Sequence, residues 1–380
     1  MRIVHFLDHV DFRRGGPANA VTTLVRVLNA RGHATRLACL SGPDLPASWV
    51  TDGGHGTATV LPSIRGRLMT PSALRGLRAW LKDADALHLH GVWEPANLQA
   101  AAVARSCGTK VFVSLRGMLD DWCMAQGRLR KRAFLALGGR RMLESAVAVH
   151  CTAEAEREQS VKWFPRGRAI VIPNLMDLGP FSTMPDGAAA RVAFGLDPAG
   201  PPVILFLSRI SAKKGIEHLL GALALLARRG LRLRTIIAGT GDPAYEARMR
   251  RMADDLGPGM PVSFVGHVGG PLKLSLFAAS DLFVLPSSQE NFGFAFFEAL
   301  AAGLPVVTTD LVDTWREIES SGAGFIVTQD AHAVAEAITG ALQDRAELAA
   351  RAARGRAWTL EHLATDRIAA RFEAMYGLTR

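Results

Sequence analysis

A chain of 380 residues is long enough for two domains of ordinary size. Hydrophobic residues make up 49%, enough for a substantial core, which excludes a disordered chain. The formal net charge of +9 is uneven: residues 101–150 hold nine Lys/Arg against three Asp/Glu, whereas residues 301–350 hold two against eight. A basic lobe favours an anionic partner such as a membrane surface, a lipid-linked phosphate or nucleic acid. Cys39, Cys107, Cys123 and Cys151 show neither CxxC spacing nor His partners at zinc-finger spacing, so a reduced, cytoplasmic setting is expected. The opening MRIVHFLDHV is broken by His5 and Asp8 and reads as a strand, not a signal peptide. No uninterrupted apolar stretch of about 18 residues exists to span a bilayer.

Arg2 to Leu7 is the first predicted strand. A loop containing Arg13-Arg14-Gly15-Gly16-Pro17 follows, then a helical pattern from about Asn19 to Ala30, stopped by Gly32. Strand, Gly-rich loop and helix form the Rossmann arrangement, although GxGxxG is absent and a plain tight turn would also explain the two glycines. Ala86-Leu-His-Leu-His90-Gly91 alternates and ends in a His, which is expected to project from the carboxyl edge of a sheet. Such a His can donate, accept or transfer a proton near neutral pH, or serve only as a hydrogen-bonded structural group. Val111 to Ser114 is a strand followed by Leu115-Arg116-Gly117. Arg116 cannot act as a base, but it can grip a phosphate or carboxylate. Gly127 to Glu144 is the most basic segment, with Arg128, Arg130, Lys131, Arg132, Arg140 and Arg141 interleaved with apolar residues. As one helix it is amphipathic and cationic. It is either a solvated face packed on its own domain or a dock for an anionic membrane.

Val147 to Cys151 reads as a strand leading, through Thr152, Glu154 and Glu156, to a capped helix. Ile170-Val-Ile-Pro-Asn174 and Asp177 follow. Residues 178–200 are rich in Pro and Gly without periodicity and read as a linker. Val203 to Leu207 is a buried-type strand, followed by Ser208-Arg209 through Lys213-Lys214-Gly215 and a helix to about Arg228. Thr235 to Ala238 ends in Gly239-Thr-Gly-Asp242, and Val262 to Gly266 in His267-Val268. Asp281 to Asp310 reads as strand, loop, helix, strand. Its helix runs from Phe294 to Ala302, and its loop opens at the carboxyl edge of a parallel sheet. Glu290 lies before that helix and Glu298 inside it. Gly293 permits close backbone approach, and the amides of Gly293 and Phe294 at the helix N-terminus favour an anion. A final helix spans about Glu361 to Tyr376.

Glu290-x7-Glu298, with Asn291-Phe292-Gly293-Phe294 between, resembles the E-x7-E signature of retaining GT-B glycosyltransferases. The likeness is closest to the bacterial family 4 of nucleotide-sugar-dependent enzymes. Ser208-Arg209 to Lys214-Gly215 and Pro173-Asn174-x-x-Asp177 resemble the same family at the right distances. The resemblance implies an α/β chain of two Rossmann-like domains facing an interdomain cleft. The first, about 1–178 completed by a C-terminal helix at 361–380, would bind the acceptor. The second, about 186–360, would bind the nucleotide-sugar donor. By the same resemblance Glu290 contacts the donor sugar and Glu298 the ribose. Arg209, Lys214 and the amides around Gly293 hold the diphosphate, with Gly239 nearby. His267 and Val268 pair with the base, and Gly15 and Gly16 lie against the diphosphate. His90 and Arg116 fall on the acceptor side, Arg116 standing where relatives often carry a His. Asp83-Ala-Asp85 imitates the DxD metal motif of the other glycosyltransferase fold but precedes its strand, at the wrong edge of the sheet.

The expected activity is metal-independent hexosyl transfer, with retention, from a UDP- or GDP-sugar to a hydroxyl of a saccharide acceptor. No cofactor is expected. A lipid-linked acceptor in exopolysaccharide or cell-envelope glycan synthesis fits the basic segment, with peripheral attachment to the inner face of the cytoplasmic membrane. The alternatives are a soluble acceptor or a nucleotide-sugar 2-epimerase. A different class is a non-catalytic basic binding protein, with nucleic acid disfavoured because it leaves Glu290, Glu298, Arg209 and Lys214 unexplained.

Overall fold

The computed structural model describes residues 1–12, 15–50 and 57–379, so Arg13 and Arg14 of the first loop lie outside the described residues. The chain divides into two compact units, Met1–Met176 with Thr365–Arg380, and Asp177–Ala364.

In unit 1, β1 (Arg2–Leu7) leads to α1 (Gly16–Ala30), β2 (Ala34–Cys39) and β3 (Ala58–Val60). A small antiparallel ladder of β4 (Ser63–Ile64) and β5 (Leu68–Met69) precedes α2 (Pro71–Leu81). Then come β6 (Ala86–His90), α3 (Pro95–Cys107), β7 (Lys110–Ser114), α4 (Asp121–Ala125), α5 (Arg128–Phe134), α6 (Arg140–Ser145), β8 (Ala148–Cys151), α7 (Glu154–Ser160) and β9 (Ala169–Val171). The seven-stranded sheet is parallel with order β3-β2-β1-β6-β7-β8-β9. Strand order therefore reverses between β1 and β6. In such sheets ligands bind beyond the carboxyl ends of the strands at that switch point.

Unit 2 holds α8 (Gly187–Ala193), β10 (Val203–Leu207), α9 (Ile216–Arg228), β11 (Arg234–Ala238), α10 (Pro243–Asp254), β12 (Val262–Gly266), α11 (Gly270–Ala279) and β13 (Leu282–Val284). It continues with α12 (Phe294–Ala301), β14 (Val306–Thr309), α13 (Trp315–Ser320), β15 (Gly324–Val327), α14 (Ala331–Gln343) and α15 (Arg345–His362). Its parallel sheet has order β12-β11-β10-β13-β14-β15, with the switch between β10 and β13. The central strands of both sheets are almost wholly buried, as expected where helices cover both faces, and in unit 1 they also bury His5, His88 and His90.

Four local expectations are corrected. Residues 127–144 do not form one helix: α5 and α6 are joined by a π turn in which Gly138 adopts φ 146°, outside any helix. The Pro/Gly-rich stretch after Leu178 contains α8, which Asp186 caps through the Ala189 N–H at 2.8 Å. Arg191 ties α8 to Asp281 at 2.5 Å and to the Ala279 carbonyl at 3.0 Å, so residues 187–193 are structural. Thr152 does not cap α7. Its N–H and hydroxyl instead donate to the buried Glu156 carboxylate, at 2.5 and 2.9 Å, and the Gly117 N–H donates to the same group at 2.5 Å.

The fourth concerns the last helix. Residue 361 lies inside α15, and a separate helix, α16 (Thr365–Gly377), starts after Leu363 and Ala364. α16 belongs to unit 1. Ile368, Ala369, Phe372, Met375 and Tyr376 bury its apolar stripe, and Arg31, at the C-cap of α1, pairs with Asp366 at 2.7 Å and Glu373 at 2.8 Å. Burying a side chain the size of Phe372 contributes about 1.5–3 kcal/mol. No helix among the described residues is long and apolar enough to cross a membrane.

Candidate active site

In unit 2 the loops leaving β10, β11 and β13 interlock backbone against backbone. A Cβ at Gly239 would lie 1.8 Å from the Ser208 carbonyl oxygen, and one at Gly241 would lie 1.9 Å from that of Ile210. At Gly215, where φ is 70°, a Cβ would lie 1.9 Å from the Pro286 carbonyl oxygen. Only glycine permits these approaches. They fix the Arg209–Lys214 loop against the loop that carries Glu290, on either side of the switch point.

Lys214 is 4% exposed and pairs with the Glu290 carboxylate. Burial, then the neighbouring Lys213 and Arg209 charges, pull its ammonium down to about 7, while the Glu290 carboxylate opposes that pull. Arg209 is exposed at the mouth of the same loop. Glu290 is held by its backbone: its carbonyl accepts the Asp313 N–H at 2.8 Å within a bridge to Val312. The Asn291 amide donates to Asp313 at 3.0 Å, and the Thr314 hydroxyl to the Phe292 carbonyl at 3.0 Å. Phe292 stacks on Phe297, with centroids 4.8 Å apart. Gly293 caps α12 with φ 66°. A Cβ there would meet the Phe296 ring at 2.4 Å, so local packing already demands glycine, beyond any need for ligand approach. The first amides of α12, from Phe294 on, have no intrahelical acceptor and face an anion favourably. Glu298, one turn into α12, pairs with Lys273 of α11 at 2.7 Å. His267 is exposed and Val268 buried beyond β12, two strands out from β10.

In unit 1, Gly15 caps α1 with φ 117° and open space before it, and Gly16 is the first helical residue. α1 thus starts three residues earlier than the predicted Asn19. His90, expected to project from the sheet edge, is instead 2% exposed within a cluster of histidines. Arg116 is 8% exposed with φ 59°, and burial lowers it to about 10, leaving it cationic at neutral pH. Its guanidinium donates to Asn174 and, at 3.0 Å, to His90 Nδ1.

The hydrogen bonds fix every tautomer in this cluster when the rings are neutral. Arg116 can only donate, so His90 carries its proton on Nε2 and donates to His5 Nδ1 at 3.1 Å. The His5 Nε2–H is then left buried without an acceptor. In the second chain the Ile172 carbonyl accepts from His150 Nε2–H at 2.7 Å. The Ser114 hydroxyl donates to His150 Nδ1 at 2.6 Å and accepts from His88 Nε2–H at 2.7 Å, and Tyr376 donates to His88 Nδ1 at 2.8 Å. Burial, then the Arg116 charge, lowers His5 and His150 to about 3. His88 and His90 are pushed well below their ordinary value, chiefly by burial. Nitrogens of His5, His88 and His90 lie within 4.8 Å of one another. The His90 lone pair is taken by Arg116 and both His88 nitrogens are occupied, so the chemistry is that of a hydrogen-bond cluster beside a cation, not a ligand set for a metal.

Two family descriptions match adjoining parts of the chain: "Glycosyl transferase 4-like domain" over residues 15–175 and "Glycosyl transferases group 1" over residues 193–358. A phosphatidyl-myo-inositol mannosyltransferase of Mycolicibacterium smegmatis is 30% identical over 341 residues, 87% of this chain and 82% of the relative. The chain belongs to the GT4-type GT-B glycosyltransferases. A D-inositol 3-phosphate glycosyltransferase of Jonesia denitrificans is 30% identical over 61% of this chain and 58% of its own length. Among solved structures, Anabaena Alr3699/HepE in complex with UDP and glucose superposes with a TM-score of 0.78 at 19% identity, covering 100% of both chains. WaaG, a glycosyltransferase involved in lipopolysaccharide biosynthesis, does so with 0.71 at 19% identity and 99% of both.

Within this glycosyltransferase, unit 2 brings Arg209, Lys214, Gly239, Glu290, Asn291, Phe292, Gly293 and Phe294 to one sheet edge. Glu298 is turned to Lys273, and His267 and Val268 stand at the outer strand. Asp83 and Asp85 sit at the amino edge of β6, where Asp85 accepts the Arg2 N–H at 2.7 Å. Lys273, Asp313 and His5, which accepts from His90, escape the motif-based reading. The last had a signal: alternation in Ala86–His90 puts His88 and His90 on one face, and His5 is in register with His88 on β1.

Proposed function

We propose that this glycosyltransferase moves a hexosyl group from a nucleoside-diphosphate sugar, UDP- or GDP-linked, to a hydroxyl of a lipid-linked acceptor with retention at the anomeric carbon. The observation that carries this reading is the enclosed Lys214–Glu290 pair at the switch point of unit 2. An incoming diphosphate takes over Lys214, joined by Arg209 and the amides at the start of α12, and frees Glu290 for the sugar hydroxyls. Glu298 takes the ribose, Val268 and His267 the base edge, and Gly239 the room around the phosphates. The bond from the anomeric carbon to phosphate oxygen breaks as the acceptor oxygen arrives on the same face, and the acceptor proton passes to the leaving phosphate. The two cations and the helix amides meet the developing charge, so the reaction needs no metal and no further cofactor. In unit 1, His90 and Arg116 are assigned positioning roles at the acceptor side, since both are already engaged with protein groups.

A relative named for phosphatidyl-myo-inositol supports the lipid-linked acceptor, and one named for D-inositol 3-phosphate supports the soluble alternative. The cationic α5, with Leu129 83% exposed, supports peripheral attachment to the inner face of the cytoplasmic membrane. The deciding experiment titrates UDP, GDP, ADP and their sugars, then follows the anomeric coupling of the product by NMR. Transfer with retained configuration supports the reading. Epimerised sugar with no transfer would favour the 2-epimerase, and no nucleotide binding at all would favour a basic binding protein. Attachment is tested by co-sedimentation with anionic and neutral vesicles at two salt concentrations. It should need anionic lipid, fall with salt, and weaken when Arg128, Arg130, Lys131 and Arg132 become Gln.

A further inference from the structure

A cavity of about 1020 Å³ opens in unit 1 between the α5–α6 kink and the segment before β9. Its walls include Arg132, Arg140, Arg141, Trp163 and the Glu144–Arg166 pair. Ser145 lies three residues before β8 and Arg166 three before β9, so this side of the cavity is at the amino edge of the sheet. Gly15 and Arg116 follow the carboxyl ends of their strands, and His90 is the last residue of β6. The cavity is therefore outside the switch-point site of unit 1, and none of the proposed donor residues lines it.

Its chemistry is one-sided. Arg132, Arg140 and Arg141 form no ion pair among the described residues. The single carboxylate, Glu144, is taken by Arg166 at 2.5 Å and is held below the usual carboxylate range by that hydrogen bond. The Trp163 indole N–H is buried and has no acceptor. Three guanidinium groups and an indole thus offer N–H donors, and the only strong acceptor is already satisfied. The complement is a compact anion with several oxygens, and guanidinium forks match phosphate geometry. At the kink, Leu137 stands 84% exposed beside the rim residues Ala136 and Gly138, an apolar step suited to the ester group of a phosphodiester.

We propose that this cavity is a phosphate-binding site, separate from the nucleotide-sugar site, that takes a phosphodiester or free phosphate. It does not depend on the donor-site assignment, since its residues are others. The test is isothermal titration of the full chain with two probes, inorganic phosphate and dihexanoyl phosphatidylglycerol below its micelle concentration. Saturable 1:1 binding is expected, weakened about ten-fold or more in Arg140→Gln/Arg141→Gln, since each lost guanidinium removes a charge-assisted contact. Ala136→Trp keeps every charge but narrows the cavity beside Gly138, and should weaken binding if the pocket, not diffuse surface charge, is the site. Glu144→Gln releases Arg166 and should tighten binding, a gain that misfolding cannot mimic. Diester bound more tightly than inorganic phosphate identifies a lipid headgroup as the source; the reverse order identifies free phosphate. Absence of saturable binding by both probes, or isotherms unchanged in both Arg140→Gln/Arg141→Gln and Ala136→Trp, overturns the proposal.

Discussion

Glu290 and Glu298, eight residues apart in the chain, are each matched by a lysine from a different element: Lys214 from the loop after β10, and Lys273 from α11 at 2.7 Å. The two carboxylates are not interchangeable. Glu290 faces a cation that burial destabilises, whereas the pair made by Glu298 is more open to solvent at its lysine. A ligand that replaces one carboxylate at Lys214 therefore gains more than one that competes for Lys273.

The first prediction follows from that asymmetry. Arg209→Ala and Lys214→Ala should each lower kcat/KM for transfer by about 1.5–3 kcal/mol or more, roughly 10-fold to 150-fold, because each removes a charge-assisted contact to the departing diphosphate. Near-normal steady-state kinetics in both variants would sink the donor-site assignment.

Activity should also fall on the alkaline side. The cation needed at Lys214 is present below about 7 and lost above it in the ligand-free enzyme, so kcat/KM should decline as pH rises through that region. Glu290→Gln removes the group that favours the ammonium and should move the decline to lower pH. A flat kcat/KM profile from pH 6 to 9 in the native enzyme would contradict the role given to Lys214.

Acid should destabilise unit 1. His5 and His150 titrate near 3 when folded and near 6.5 when unfolded, so the unfolded chain binds more protons between those values. Their contribution is complete above 6.5 and is lost as pH falls towards 3, at about 1.4 kcal/mol per pH unit for each ring within that window. Urea midpoints measured from pH 7.5 to 5 should fall steeply, and less steeply in His150→Asn. A midpoint independent of pH over that range would mean the rings are solvated.

Glycine positions should split by what lies in front of them. Gly215→Ala places a Cβ 1.9 Å from the Pro286 carbonyl oxygen at positive φ and should cost about 3 kcal/mol or more of unit 2 stability. Gly32→Ala, also at positive φ but with open space before it, should cost only about 1–2 kcal/mol. Chemical denaturation of both variants checks the ranking.

Chelator should leave transfer largely intact. In the proposed reading, Arg209, Lys214 and the α12 amides supply the positive charge that a metal would otherwise bring. Complete loss in EDTA, restored by Mn²⁺ or Mg²⁺, would count against that account.

Much of unit 2 was legible because its signals are local. Apolar runs, glycines and the Arg209–Lys214 and Glu290–Glu298 spacings lie within one βαβ unit each, and neighbouring loops at a switch point bring them together. What escaped depends on partners distant in the chain. Nothing near Glu298 announces Lys273, and nothing near His88 announces Ser114 or Tyr376, which arrive from β7 and from α16. The basic run at 127–144 is rich in the helix formers Arg, Leu and Ala, yet Gly138 breaks it, because glycine loses more conformational entropy in a helix than any other residue. The Pro/Gly content after Leu178 suggested a linker, but the Asp186 cap and the Arg191–Asp281 contact supply enough to order α8.

Unit 1 is assembled from both ends of the chain, and the Thr365 hydroxyl meets the Met176 carbonyl at 3.2 Å where the backbone re-enters it. Synthesis on the ribosome is vectorial, so residues 177–364, which form unit 2 without interruption, emerge before the Tyr376 that closes the hydrogen-bond chain through His88. The older half of the nascent protein must therefore wait for the younger. During that interval its sheet lacks α16, and the surface that Phe372 and Tyr376 later cover remains available to chaperones. A chain ended at Ala364 should accordingly keep hydrogen-exchange protection in β10, β11 and β13 while losing it in β6 and β7. Equal protection in both sheets would mean that the first domain can finish without its last helix.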